Sequence, residues 1–129
     1  MKPVCAKSQH GQALIEFAMV IPVVVLLLLG GADLIMAFSA KQNVTYVAEE
    51  TARCWALRNT NCWPSGYQPY ARSVASGLGL LNSGTLAASS NGCGPNCASI
   101  TVSYRAAPMF QGFFPSVALT STAQYTTGP

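Results

Sequence analysis

Beyond Glu50 the sequence contains no acidic residue and no histidine: His10 and all four carboxylates, Glu16, Asp33, Glu49 and Glu50, precede that point. That absence removes most acid–base and hydrolytic chemistry from the C-terminal half. Neither a Ser-His-Asp or Cys-His arrangement nor a carboxylate pair can be assembled there. A glycine-rich phosphate cradle is missing as well. No catalytic residue and no cofactor is therefore assigned, and an enzyme is not expected. Charge of either sign is scarce, 9% of residues against about a quarter in ordinary soluble domains. Past Asn59 only Arg72 and Arg105 are charged. The formal net charge of +3 is small and scattered, without a Lys/Arg stripe carrying interleaved aromatics, so no nucleic acid is expected as partner. Proteins and lipid are.

What the chain does have is one long apolar run. Residues Gly11 to Phe17 read Gly-Gln-Ala-Leu-Ile-Glu-Phe, and apolar residues continue from there to Ala32. A spanning helix needs roughly 20 mostly apolar residues. From Gln12 to Ala40 the sequence is interrupted only by Glu16, Asp33 and Ser39, which is long enough. A cleaved secretory signal has a shorter apolar core, of about 7–15 residues; Ala37-Phe-Ser-Ala40 offers only a faint site for such cleavage. A buried core helix is the third alternative, but the rest of the chain could not cover so apolar a rod on all sides. A membrane-spanning helix is the expectation.

The flanks orient that helix. Lys2, Lys7 and His10 precede it without an acidic residue among them, whereas Lys41 is followed by Glu49 and Glu50 before Arg53 and Arg58. The bias predicts a cytoplasmic N-terminus and an exported C-terminal domain. Glu16 and Asp33 stand about 26 Å apart along a helix axis, so each can sit near one edge of a hydrocarbon core roughly 30 Å thick. A carboxylate entering hydrocarbon is costly without a partner, which singles out Glu16. Pro22 removes a backbone donor and predicts a kink, while Gly30 and Gly31 offer close helix–helix approach in lipid.

After the span, Val44, Val47, Ala48, Thr51 and Trp55 recur at helical spacing and predict an amphipathic stem. Glu49 and Glu50 are placed to pair with Arg53 on its exposed side. The Asn59-Thr-Asn61 and Trp63-Pro-Ser-Gly66 clusters end it. Residues Pro69 to Leu81 read as a short helix, Asn82 to Asn96 as a Ser/Gly/Asn-rich loop, and Ile100, Val102 and Tyr104 as a strand by alternation. Val117, Leu119, Ser121, Ala123 and Tyr125 give a second strand. Phe110, Phe113 and Phe114 are expected to pack into the core, because so small a domain needs its large apolar groups. The fold class is α+β: a long N-terminal transmembrane-plus-stem helix, then a small extracytoplasmic cap with a short helix and an antiparallel strand pair. The divisions are 1–11, 12–40 for the span, 41–59 for the stem and 60–129 for the cap.

Cysteine usage follows the same partition. Cys5 precedes the span, whereas Cys54, Cys62, Cys93 and Cys97 follow it, an even number in a small exported domain, which favours two disulfides. Local pairing, Cys54–Cys62 and Cys93–Cys97, is the simplest of three connectivities. Crossed pairing would staple stem to strands and constrain the unfolded chain more. Zinc is disfavoured, because Cys54-x7-Cys62 misses the usual ligand spacing.

The stretch Gly11-Gln-Ala-Leu-Ile-Glu-Phe-Ala-Met-Val-Ile-Pro-Val-Val-Val-Leu-Leu-Leu-Leu-Gly30 resembles the N-terminus of TadE-like minor pilins, or pseudopilins, of tight adherence (Tad, Flp-type) pilus systems. The stem ending Glu50-Thr-Ala-Arg53 is similar to their Glu-Gly-Ala-Arg stretch, with Thr51 in place of glycine. The closing strands resemble theirs more loosely. The resemblance implies a structural, assembly or adhesion component of a type IV pilus-like fibre, anchored in the bacterial inner membrane by a single pass. It implies a leader ending at Gly11, cut before Gln12 by a prepilin peptidase. It also implies that Glu16, with Phe17 beside it, meets the new N-terminal amine of a neighbouring subunit during assembly. Implied partners are other pilin subunits, the pilus assembly platform, the peptidase and the bilayer. Two other readings remain open: a single-pass membrane protein with an extracytoplasmic binding domain, and a secreted disulfide-bonded effector with a mature start near Lys41.

Overall fold

The computed structural model describes residues 9–63, 65–79, 85–94, 96–108, 112 and 115–127. Phe110, Phe113 and Phe114 fall outside the described residues, as do Lys2, Cys5 and Lys7. In chain order come helix α1 (Gln9–Ala56), helix α2 (Tyr67–Gly77) and strands β1 (Ala87–Gly92), β2 (Cys97–Ala106) and β3 (Val117–Thr126). This is an α+β fold with a long N-terminal apolar helix. By contacts the chain divides after Leu34 into two compact units.

In the first unit, α1 runs through Pro22 as one continuous helix. Every residue from Gly11 to Leu28 is exposed, including Leu14, Phe17, Leu26, Leu27 and Leu28. So many exposed leucines and valines on one helix are what a rod surrounded by lipid or by other helices requires.

In the second unit, the stem stripe read from the sequence is the helix face of the core. Val44, Val47, Ala48 and Ala52 are buried with Ala71 and Ala75 of α2 and with Leu86, Ala88, Ile100 and Val102 of the sheet. Thr51 is buried on the same face and donates its hydroxyl to the Val47 carbonyl at 2.6 Å. That back-bond satisfies a polar group which would otherwise be costly inside the core. Beside it, Tyr70 of α2 donates its hydroxyl to Glu50 at 3.5 Å.

Helix α1 ends in a Schellman arrangement. The Asn59 amide donates to the Cys54 carbonyl at 3.1 Å and the Arg58 amide to the Trp55 carbonyl at 3.2 Å. This closure needs a left-handed residue between them. Arg58 supplies it, with φ of 49°, where glycine is usual. The following turn is held by the Asn61 and Trp63 amides donating to the side-chain and main-chain oxygens of Asn59. Gly66, at φ 100°, then leads into α2. Pro69 falls in the first turn of α2, where a missing amide proton does little harm, so the helix starts earlier than the Pro69 read from the sequence. It ends at Gly77, short of Leu81.

The sheet corrects the expected strand pair. It has three antiparallel strands in the order β1-β2-β3, and β1 occupies part of the segment read as a loop. The register runs from Ala87↔Ser103 to Gly92↔Ala98, and from Cys97↔Thr126 to Ala106↔Val117. Ala-Ala-Ser-Ser-Asn-Gly has poor strand propensity, yet Ala88 and the preceding Leu86 are buried beneath α2 and the pairing with β2 overrides propensity. The outward face is built mainly from hydroxyls and amides, with Arg105 at its end. Thr101 and Thr122 share a 2.9 Å hydrogen bond, Asn91 donates to Thr101 at 3.4 Å, and Ser103 donates to the Ala87 carbonyl at 3.3 Å. A charge-poor sequence thus still presents a polar surface.

Candidate assembly segment and its disulfide-held cap

The residues singled out for processing and assembly all lie on the first unit's stretch of α1. Gly11, Gln12, Glu16 and Phe17 are exposed, Phe17 to 64%. At about 3.6 residues per turn, Gly30 follows Glu16 by nearly four whole turns, and Gly31 follows Phe17 likewise. Each pair therefore shares a helix face. A β-carbon added at Gly31 would meet nothing within 4 Å, so that glycine leaves space which no part of its own chain occupies. Pro22 lies between the two pairs, within the continuous helix. Asp33 differs from Glu16: it is half-buried, with its Oδ2 shielded from solvent.

The helix continues into the cap, where polar links fix its stem to the last strand. Lys41 donates its ammonium to the Thr120 carbonyl, and the Ser121 hydroxyl donates to Thr45 Oγ1 at 3.2 Å. Burial pushes the Tyr70 phenol above its ordinary value, and the neighbouring Glu50 charge and hydrogen bond push it the same way, with a smaller push from Tyr46. The sequence patterns carried no signal for these links, because each joins residues far apart in the chain through a single hydroxyl or ammonium.

Cys54, Cys62, Cys93 and Cys97 form two disulfides, Cys54–Cys62 and Cys93–Cys97, with Cα separations of 6.2 and 5.4 Å. The first ties the last turn of α1 to the turn after it. The second closes the β1–β2 hairpin, where Gly94 adopts φ 132°, a backbone conformation natural to glycine. The Cys54 bridge also sets aromatic rings together. Trp55 and Trp63, one residue beyond each of its cysteines, have centroids 4.9 Å apart, and Tyr67 stands edge-on to Trp55 at 5.4 Å. The repeated Cys-Trp pair was the sequence signal for this cluster. Among the described residues no group of three or more His, Cys, Asp or Glu could hold a metal ion.

By length and composition α1 is able to cross a membrane. The family model described as TadE-like protein matches residues 11–53, which is the apolar helix together with most of the stem. The similarity to TadE-like proteins read from Gly11 to Gly30 and from Glu50 to Arg53 is thereby borne out over that stretch, and it supports a Tad pilus-associated protein. No curated protein and no solved structure matches the chain.

Proposed function

We propose that this protein is a minor pilin or pseudopilin of a Tad pilus, a structural and not an enzymatic component. It is held in the inner membrane by α1, with its N-terminus cytoplasmic and its cap outside. The observation that carries the reading is the TadE-like match at residues 11–53, falling on a helix whose apolar side chains are exposed from Gly11 to Leu28. In this reading a prepilin peptidase cuts between Gly11 and Gln12 and leaves Glu16 as the fifth residue. The cut creates a free amine at the membrane edge, and Glu16 of a neighbouring subunit neutralises it, because buried opposite charges need one another. The glycine faces allow neighbouring helices to approach closely, and the assembly platform receives the subunit from the bilayer.

The test is the N-terminal sequence of the protein recovered from its native membrane. A start at Gln12 in the wild type, abolished by Gly11→Leu with membrane abundance unchanged, supports the proposal. A wild-type chain that keeps residues before Gln12 and stays monomeric in detergent overturns it in favour of a single-pass binding protein. A start near Lys41 would identify a secreted effector.

A further inference from the structure

The pilus reading leaves one feature of the cap unused. A groove of about 260 Å³ lies between the end of α1 and the β1–β2 hairpin, and Trp55, Arg58, Trp63, Asn96 and Thr127 line it. Trp63 is 44% exposed, although a small domain gains most by burying an indole. Arg58 occupies a left-handed position that glycine would fill without strain. Its guanidinium carbon lies 5.7 Å from the Trp63 ring centroid. Thr127 holds the groove's far wall by donating its amide and hydroxyl to the Asn96 carbonyl, at 3.0 and 3.2 Å.

We infer that this groove binds an acidic saccharide, a pyranose ring bearing a carboxylate. A pyranose has an apolar C–H face and a polar rim. Indole surface takes the first, and for the second the groove's lining supplies the Asn96 side-chain amide and, as an acceptor, Thr127 Oγ1. A guanidinium 5.7 Å from the indole centroid is within cation–π range, and its planar fork of N–H donors matches a carboxylate's two oxygens. Among the described residues that line the groove none is acidic, so none competes for those donors. The same arginine repels a cationic ligand, whereas a simple phosphate would leave both indoles unused. The inference is independent of the pilus assignment.

The experiment is isothermal titration calorimetry on the full chain in detergent micelles. Hyaluronan tetrasaccharide, in which glucuronate alternates with N-acetylglucosamine, is the probe, with fully N-acetylated chitotetraose as the neutral control and inorganic phosphate as the bare anion. Saturable binding of the hyaluronan fragment is expected in the millimolar range or tighter, with chitotetraose at least about tenfold weaker and phosphate weaker still. Arg58→Gly should lose about tenfold for the acidic probe while keeping the fold, because glycine suits that backbone. Trp63→Ala provides a second variant on an exposed side chain. No saturable heat with the hyaluronan fragment, equal affinity for chitotetraose or phosphate, or unchanged affinity in both variants overturns the assignment.

Discussion

Replacing both members of one disulfide by alanine separates what the cross-link contributes through the unfolded chain from what its sulfur atoms fill in the folded one. The sequence separations are 8 for Cys54–Cys62 and 4 for Cys93–Cys97. In the chain-entropy account such loops are worth about 2.5 and about 2 kcal/mol. Entropy alone would therefore make the two bridges nearly equivalent. Burial does not. Cys62 is 0% and Cys54 5% exposed, whereas Cys93 is exposed and Cys97 half-buried. Removing two buried sulfurs adds roughly 1 kcal/mol each in lost packing, so Cys54→Ala/Cys62→Ala should lower stability by about 4 to 5 kcal/mol and Cys93→Ala/Cys97→Ala by about 2 kcal/mol. For a domain of this size the difference of about 2 to 3 kcal/mol corresponds to roughly 8–24 °C between the two melting temperatures. Thermal melts of the full chain in detergent, followed by near-ultraviolet circular dichroism, measure it. Mild reductant with timed alkylation gives a second reading, in which Cys93–Cys97 should open first. Equal melting temperatures, or a lower one for the hairpin variant, would refute the argument that packing dominates here.

Three further outcomes follow from particular residues. Arg58→Gly should be more stable than Arg58→Ala by about 1 kcal/mol, the reverse of an ordinary helical site, and equal urea midpoints would contradict the left-handed closure of α1. The Tyr70 phenol is held above its ordinary value, so the neutral form is favoured by folding. Its contribution is present below about pH 10 and lost as pH rises through the raised folded value; denaturant melts from pH 8 to 11 should show a shallower decline for Tyr70→Phe. Glu16→Gln should leave membrane abundance unchanged and weaken crosslinking to pilus partners, by about 3–5 kcal/mol if the amine it leaves unpaired is dry; normal crosslinking at normal abundance would show that Glu16 only snorkels.

Most of the architecture was legible because it rests on periodicity. The apolar run from Gln12 and the stripe Val44, Val47, Ala48, Thr51 made α1 readable, and the alternation of Ile100, Val102 and Tyr104 made β2 readable. Strand β3 was visible more faintly. Strand β1 was not, because Ala87 to Gly92 carries no alternating large apolar residues and owes its conformation to β2 alongside it and to the closed hairpin. Of the candidate site, the sequence identified the residue types on α1, but the alignment of Glu16 with Gly30 and of Phe17 with Gly31 follows from the unbroken helix through Pro22. The groove beside Trp63 was hidden for another reason: a left-handed arginine cannot be distinguished by type from a helical one.

Both disulfides close short local loops, and this has a mechanical consequence. A covalent bridge limits how far a chain can be drawn out only by the residues it encloses, here separations of 8 and 4. At about 3.5 Å of contour per residue, the two bridges together withhold roughly 40 Å from the segment after Cys54, whose extended length would be about 260 Å. Under tension the cap therefore has no long covalent tether. Its resistance to being pulled apart rests on the β1–β2 and β2–β3 ladders and on the anchoring of β3 to the stem by Lys41 and Thr45. A fold braced in this way yields by parting strands, and can close again when the load is released, with both cross-links still intact.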